Sequence, residues 1–366
     1  MTVHLHAIAT ATPEHRYTQK AIGCWMQDLA TDDRQRRLIR LLYRTSGIAT
    51  RYTVIPEFGG GFYGRDAHGA LVEPGTGARN AIYARESRRL TRAAGESLLA
   101  MRPEFAPGDI THVVTASCTG FVNPGLDYFL VRDLGLPTAT ERYHLGFMGC
   151  YAAFPALRMA AQFCRADPSA CVLVVCLELC SLHLQFSDRD DQLLANALFA
   201  DGAAAALVSA RPPAPGMSTL QLEHFASTLI PDSEADMAWT IGDRGFDIAL
   251  SSYVPKILGA NIAEVVDNLL AATRGNGAAI ANWAVHPGGK AILDQVERAL
   301  ALRPEQIAPS RQVLHDYGNM SSATILFVLR ELLQRPGSET RRICSMAFGP
   351  GLSVELALMT QFPGNA

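Results

Sequence analysis

No stretch of the sequence reaches the roughly 18 uncharged apolar residues that a membrane-crossing helix needs. The N-terminal MTVHLHAIATATPEH also lacks a charged segment followed by a long apolar run, so no secretory leader and a cytoplasmic location are expected. Neither sign of charge dominates: 32 Lys and Arg against 35 Asp and Glu leave a net charge of −3. A general attraction for nucleic acid or an anionic membrane is therefore not expected, and any basic site has to be local. The eight cysteines include no CxxC pair, and the strand-like run from Cys171 to Leu177 sends its cysteines to different faces, so no zinc site or other metal is implied. A chain of 366 residues, 48% of them apolar, buries a large core without disulfide staples, and free thiols in a reducing compartment are expected.

What the sequence does have is a cysteine between an extended segment and a helix. In GFMGCYAAFPAL (146–157), Cys150 follows the strand-like Arg142-Tyr143-His144-Leu145 and precedes small and apolar residues at helical spacing, Ala153, Leu157, Ala160 and Ala161. Unpaired N–H groups and the positive end of a helix dipole favour a thiolate there, which makes a nucleophile. A small buried hydrophobe is the ordinary alternative for a free cysteine.

Along the chain, residues 2–9 alternate as a strand with His4 and His6 on one polar edge face, and residues 17–46 read as helical, stopped at Gly47. Arg37, Arg40 and Arg44 share one face of that helix, a geometry suited to phosphates, although a charge run is usually a solvated face. Residues 56–82 read as a Gly- and Pro-rich loop before a helix over 83–101. A buried strand at 110–117, helix 126–134, the cysteine helix, strand 171–178 and the small-residue stretch 199–208 complete a first half.

The second half repeats the order: strand 280–285, HPGG from His286, helix 290–301, a helix opened by the segment around Asn319, and strands 342–347 and 352–359. Gly149-Cys150 and Gly318-Asn319 stand at corresponding places. Two related halves, about 1–215 and 216–366, predict a single α/β unit layered α-β-α-β-α. Ligands in such folds bind at strand carboxyl ends and helix N-termini, and pseudo-twofold symmetry brings Cys150, His286 and Asn319 together. Taken singly, His286 reads as a turn or core histidine and Asn319 as a helix cap. Taken together, a thiolate accepts an acyl group from a thioester while His and Asn donors stabilise an oxyanion or enolate, the needs of a decarboxylative Claisen condensation. A protease triad uses the same residue types but needs no duplicated core.

GFMGCYAA, ALFADGAAA around Phe199, HPGG, GNMSSAT at Asn319 and AFGPGLSVE (347–355) resemble, in order and across almost the whole chain, the type III polyketide synthases, chalcone synthase-like homodimers of the thiolase fold. Ala200 and Ala347 stand where many members carry glycine. The resemblance implies an acyl-CoA starter on Cys150, extension with malonyl-CoA and cyclisation, with no carrier protein, metal or other cofactor. It makes His286 the base and oxyanion partner, Asn319 the second donor and Phe199 the gate between a coenzyme A tunnel and the cavity, and it gives Arg37, Arg40 and Arg44 to the coenzyme A phosphates. LGFMGCYAAFPAL, LELCSLHLQ (177–185) and WTIGDRGFDIALSSYVP (239–255) look like bacterial alkylresorcinol or alkylpyrone synthases acting on fatty acyl-CoA. Cys118 and Cys180 replace threonines common in plant members, which predicts a less polar wall; Ser321 is a further lining candidate, and His183 is expected near that wall, either in cyclisation or as a hydrogen-bonded histidine behind it. A β-ketoacyl synthase III-like enzyme performing one condensation and a non-catalytic partner subunit are the competing readings.

Overall fold

The strand Cys171–Leu179 is buried along its length and feeds two cores by turns: Val172, Val174 and Cys176 enter one, Cys171, Leu173, Val175 and Leu177 the other. Asp201–Ser209 does the same, with Ala204, Ala206 and Val208 opposed to Ala203, Ala205 and Leu207. Strands buried on both faces need helices on both. The structure is a computed structural model that describes residues 1–56, 62–273, 279–335 and 339–364.

Outside the first half's strands lie helices Thr76–Met101 and Leu126–Asp133. Inside lie Ala153–Ala166 and Thr324–Gln334, one from each half, and the small side chains of Ala153, Ala156, Ala160 and Ala161 let this shared layer pack tightly. The second half's strands Asn282–Val285, Arg341–Gly349 and Ser353–Phe362 rest Ala284, Ile343, Ala347 and Met359 on the same pair of helices. Their other face, with Trp283, Val285, Met346 and Leu356, meets Val254–Ala272, Lys290–Ala299 and Pro304–Tyr317. The layers are α-β-α-β-α, as the duplicated pattern predicts.

The nine main strands form one hydrogen-bonded sheet. Their order is 282–285, 341–349, 353–362, 219–229, 4–11, 201–209, 171–179, 112–117, 141–146. Within this sheet the halves join where His4 and Leu5 pair with Gln221 and Leu220. His4–Ala11 is therefore a central strand, and the polar edge face expected for His4 and His6 is wrong: His6 is buried, and its Nε2 meets Ser209 Oγ at 2.8 Å.

Two element boundaries also differ from the sequence reading. The helix expected over 17–46 is two, Gln19–Asp28 and Asp33–Thr45, because the Asp32 side chain accepts from Gln35 N and caps a new start. The helix expected at 83 begins at Thr76, so the predicted loop is shorter; its residues 57–61 lie outside the described ones.

Candidate active site

Cys150 stands in a turn between strand Glu141–Gly146 and helix Ala153–Ala166. The turn needs left-handed backbone at Gly149 (φ +85), and a β-carbon there would collide with the Pro350 ring from the far end of the chain. Phe147 takes φ +60, a conformation costly for a bulky residue, and its N–H donates to Ser117 O at 3.1 Å. The second half repeats the device. Gly318 (φ +74) precedes Asn319, whose N–H donates to Leu198 O at 3.0 Å while its carbonyl accepts from Ala200 N at 2.8 Å. The segments of Phe199 and Asn319 are thus bridged in parallel.

Asn319 Nδ2 donates to Gly288 O at 3.3 Å, its Oδ1 accepts from Ser321 N at 2.8 Å, and a methyl on Gly288 would sit 3.7 Å from the His286 ring. Both His286 nitrogens are buried without a hydrogen-bond partner among the described residues. Burial holds the imidazole down at about 3, neutral at physiological pH. The same cause pushes the Cys150 thiol up to about 11, although Ser321 and Asn319 hydrogen-bond to the sulfur and pull the other way. Burial thus outweighs the lowering expected from helix position. A dipole contributes about 0.3–1 kcal/mol within the first turn. A rise from 9.0 to about 11 corresponds to about 3 kcal/mol.

Cys150, His286 and Asn319 line one cavity of about 360 Å³, together with Phe199, Cys118, Cys180 and Ser321. Cys118 Sγ lies 3.5 Å from Ser321 Oγ. Leu194, Leu198, Met237, Ile248, Leu250 and Phe348 make most of the remaining wall apolar.

Four predicted residues stand elsewhere. His183 does not line the chamber: its Nε2–H donates to Thr119 O at 2.7 Å and its Nδ1 accepts from Phe246 N at 3.0 Å. Burial holds it at about 3, and with both nitrogens engaged it supports the wall from behind. Arg37, Arg40 and Arg44 are exposed on the Asp33–Thr45 helix and do not line the chamber either, whereas Leu42, Thr45 and Ser46 at its end do. The arginine stripe is turned away from the stripe that reaches inward, and Arg40 donates to Gln27 Oε1 at 3.0 Å.

Three contributors escaped the sequence reading. Lys290, exposed at the rim, is a cation on the lining itself. Glu178 lies under the site and accepts from Cys118 N (3.0 Å), Cys118 Sγ (3.3 Å), Thr119 Oγ1 (2.9 Å) and Ser322 Oγ. Burial pushes its carboxyl up to about 7. A lone acid in the apolar run CVLVVCLEL was the available signal.

Trp239, on the hairpin Met237–Gly242/Gly245–Leu250, is the third. Its ring meets Phe199 (6.0 Å) and His183 (5.7 Å) edge-on, and it separates the chamber from a void of about 20 Å³ that it also lines. Its Nε1 has no partner among the described residues, so truncation breaks no hydrogen bond. In Trp239→Ala the two spaces join. Preference among acyl-CoA starters of graded length moves to longer chains by about tenfold in kcat/KM, the effect of one or two methylenes in an apolar pocket. An unchanged length profile would show that Trp239 does not close the chamber.

Residues 2–212 match the model of the N-terminal domain of chalcone and stilbene synthases, and residues 221–363 that of the C-terminal domain. An alpha-pyrone synthesis polyketide synthase-like protein, Pks18 of Mycobacterium tuberculosis, is 31% identical over 96% of this chain and 89% of its own. The 1,3,6,8-tetrahydroxynaphthalene synthase of Streptomyces coelicolor is 32% identical over 96% and 90%. Its crystal structure, described as a bacterial type III polyketide synthase, superposes with a TM-score of 0.88 over 99% of this chain and 100% of that one. A probable polyketide synthase 1 of Dictyostelium discoideum is 37% identical over 68% of this chain, which spans only 8% of that much longer protein. Two consecutive domain models, relatives similar from end to end and a shared five-layer architecture agree: the chain belongs to the chalcone and stilbene synthase family and is a type III polyketide synthase, a malonyl-CoA-dependent acyltransferase.

Proposed function

We propose that the protein loads a long-chain fatty acyl group from its coenzyme A thioester onto Cys150, extends it with malonyl-CoA and closes the product to an alkylpyrone or alkylresorcinol. The observation that carries this reading is the shared chamber, in which a sulfur, an imidazole and a carboxamide face one space with chiefly apolar walls. His286 takes the thiol proton as Cys150 attacks the thioester and gives it to the departing coenzyme A thiolate; afterwards its N–H and Asn319 Nδ2 stabilise the enolate left when malonyl-CoA loses CO₂, and the enolate carbon attacks the acyl thioester and frees the Cys150 sulfur. These side chains fill the acid–base and oxyanion roles, so the proposal assigns no metal or further cofactor. Coenzyme A phosphates stay at the rim near Lys290 and Arg44; Arg40 and Arg37 lie farther back along the helix, the latter by about 10 Å at 1.5 Å per residue. The Pks18 relative is described as serving alpha-pyrone synthesis, which favours the lactone among the products. The test is incubation with hexadecanoyl-CoA and malonyl-CoA, with mass spectrometry of the products. Pyrones or resorcinols carrying several added acetate units are expected, and a single β-keto product would establish a one-condensation enzyme instead.

The proposal includes a cytoplasmic homodimer. No helix among the described residues is long and apolar enough to cross a membrane. Light scattering is expected to give twice 39.5 kDa, and a monomer mass would reject the dimer.

The roles of Cys150 and His286 have a pH signature. Burial is the largest cause that holds the thiol up at about 11, and it holds the imidazole down at about 3, since each group is penalised for becoming charged by itself. Moving the proton from sulfur to ring charges both at once, and their attraction offsets part of both penalties. In His286→Ala that partner is gone, so the apparent pKa of Cys150 alkylation by iodoacetamide is expected to climb toward the buried-thiol value of about 11. The unaltered protein is expected to alkylate with a lower pKa, and coincident profiles would separate His286 from thiol activation.

A further inference from the structure

Arg51 stands outside the chamber lining. It lies on the short strand Thr50–Thr53, is 4% exposed, and carries a guanidinium into the wall behind Phe199. Its Nη1 donates to two carbonyls at once, Asn196 O at 2.8 Å and Phe199 O at 2.7 Å. Those carbonyls end the helix Asp190–Leu198, where they have no partners within the helix and a cation is favoured. The guanidinium also sits 5.5 Å from the Tyr43 ring, whose hydroxyl donates to the same Asn196 O at 3.0 Å. On its other side the aliphatic stem packs on Gly318: a β-carbon there would fall 2.9 Å from Arg51 Cγ and 3.1 Å from Leu198 O. The residue thus touches both strands of the bridge that joins Phe199 to Asn319. Its Nε and Nη2 find no partner among the described residues, so hydrogen bonding alone does not account for a buried guanidinium here.

We propose that Arg51 is a positioning residue, a clamp that fixes the Phe199 ring and the Asn319 carboxamide relative to each other at the chamber wall. The proposal rests on the roles assigned above to Cys150, His286 and Asn319. Its logic is geometric. A carboxamide aimed at a developing oxyanion tolerates little displacement, whereas acylation of Cys150 makes less use of Asn319.

The test uses the full chain and two assays: intact-mass acylation of Cys150 by hexadecanoyl-CoA, and CO₂ release from carboxyl-labelled malonyl-CoA. In Arg51→Met, CO₂ release is expected to fall by about a hundredfold with acylation changed far less, the scale of a displacement near 1 Å. Arg51→Lys recovers part of the loss, because an ammonium on a flexible stem reaches the carbonyls without the planar fork. Gly318→Ala keeps the guanidinium but pushes its stem, and is expected to reproduce the selective loss. If Arg51→Met does not fold, as judged by circular dichroism, the other two variants decide. Parallel loss of both activities would overturn the clamp in favour of a merely structural arginine, and unchanged CO₂ release would overturn it outright. An unaltered protein that released no CO₂ from malonyl-CoA would fail the underlying reading and the clamp with it. Normal release in the unaltered protein, matched by Arg51→Met, would fail the clamp alone.

Discussion

The Cys150→Ala protein takes up no acyl group. Incubated with radiolabelled hexadecanoyl-CoA and denatured, it carries no label, and polyketide formation is lost completely, because no other side chain lining the chamber has the same combination of sulfur, turn and neighbours. Cys118 and Cys180 line the same cavity, but burial and the nearby Glu178 carboxylate hold both thiols well above the ordinary cysteine range. Cys118 is further tied to Glu178 Oε1 and Ser321 Oγ. Folding is expected to be unaffected, since alanine fits a turn whose left-handed residues are Phe147 and Gly149, not Cys150. Label recovered on Cys150→Ala would assign the nucleophile to another residue, and peptide mapping would identify it.

Asn319→Ala separates the two halves of the chemistry. Its Nδ2 is one of the two donors assigned to the enolate, and removal of one preorganised donor of this kind lowers turnover about 10²–10³-fold. CO₂ release from malonyl-CoA is expected to fall by that factor, while acylation of Cys150 falls far less. The backbone bridge to Phe199 uses main-chain atoms only and survives the substitution, so the gate stays in place. The variant does lose the side-chain acceptor for Ser321 N, and thermal unfolding of Asn319→Asp, which keeps an acceptor but lacks the donor, isolates that effect. Equal losses in acylation and CO₂ release would remove Asn319 from enolate stabilisation.

The duplicated order of strands and helices was legible because both halves bury strands on two faces, which leaves long apolar runs in the sequence, and because each half opens its central helix with a glycine and a polar or reactive residue. Cys150, His286 and Asn319 could be read from those positions. Glu178 could not be placed in the same way. A strand sequence does not say what packs around one of its side chains, and here the donors to Glu178 come from Cys118, Thr119 and Ser322 on other segments. Trp239 was hidden for a similar reason: its hairpin reads as an ordinary surface element until it is packed against Phe199 and His183. Which of the two readings of His183 holds was hidden because the partners that occupy its two nitrogens, Thr119 and Phe246, lie 64 and 63 residues away. The thiol's electrostatics were misread because helix position is visible in a sequence, while burial depends on everything that folds over it.

Pro350 presses on Gly149, and the opposing Gly349 faces Tyr151 just beyond the nucleophile, so the bend that aims the sulfur is completed by residues of the other half. The half that carries the cysteine cannot shape its bend alone, so a fragment ending before Gly349 holds the sulfur without the wall that aims it. Condensing activity is therefore a property of the two halves joined, and splitting the chain between them parts the thiol from its catalytic setting.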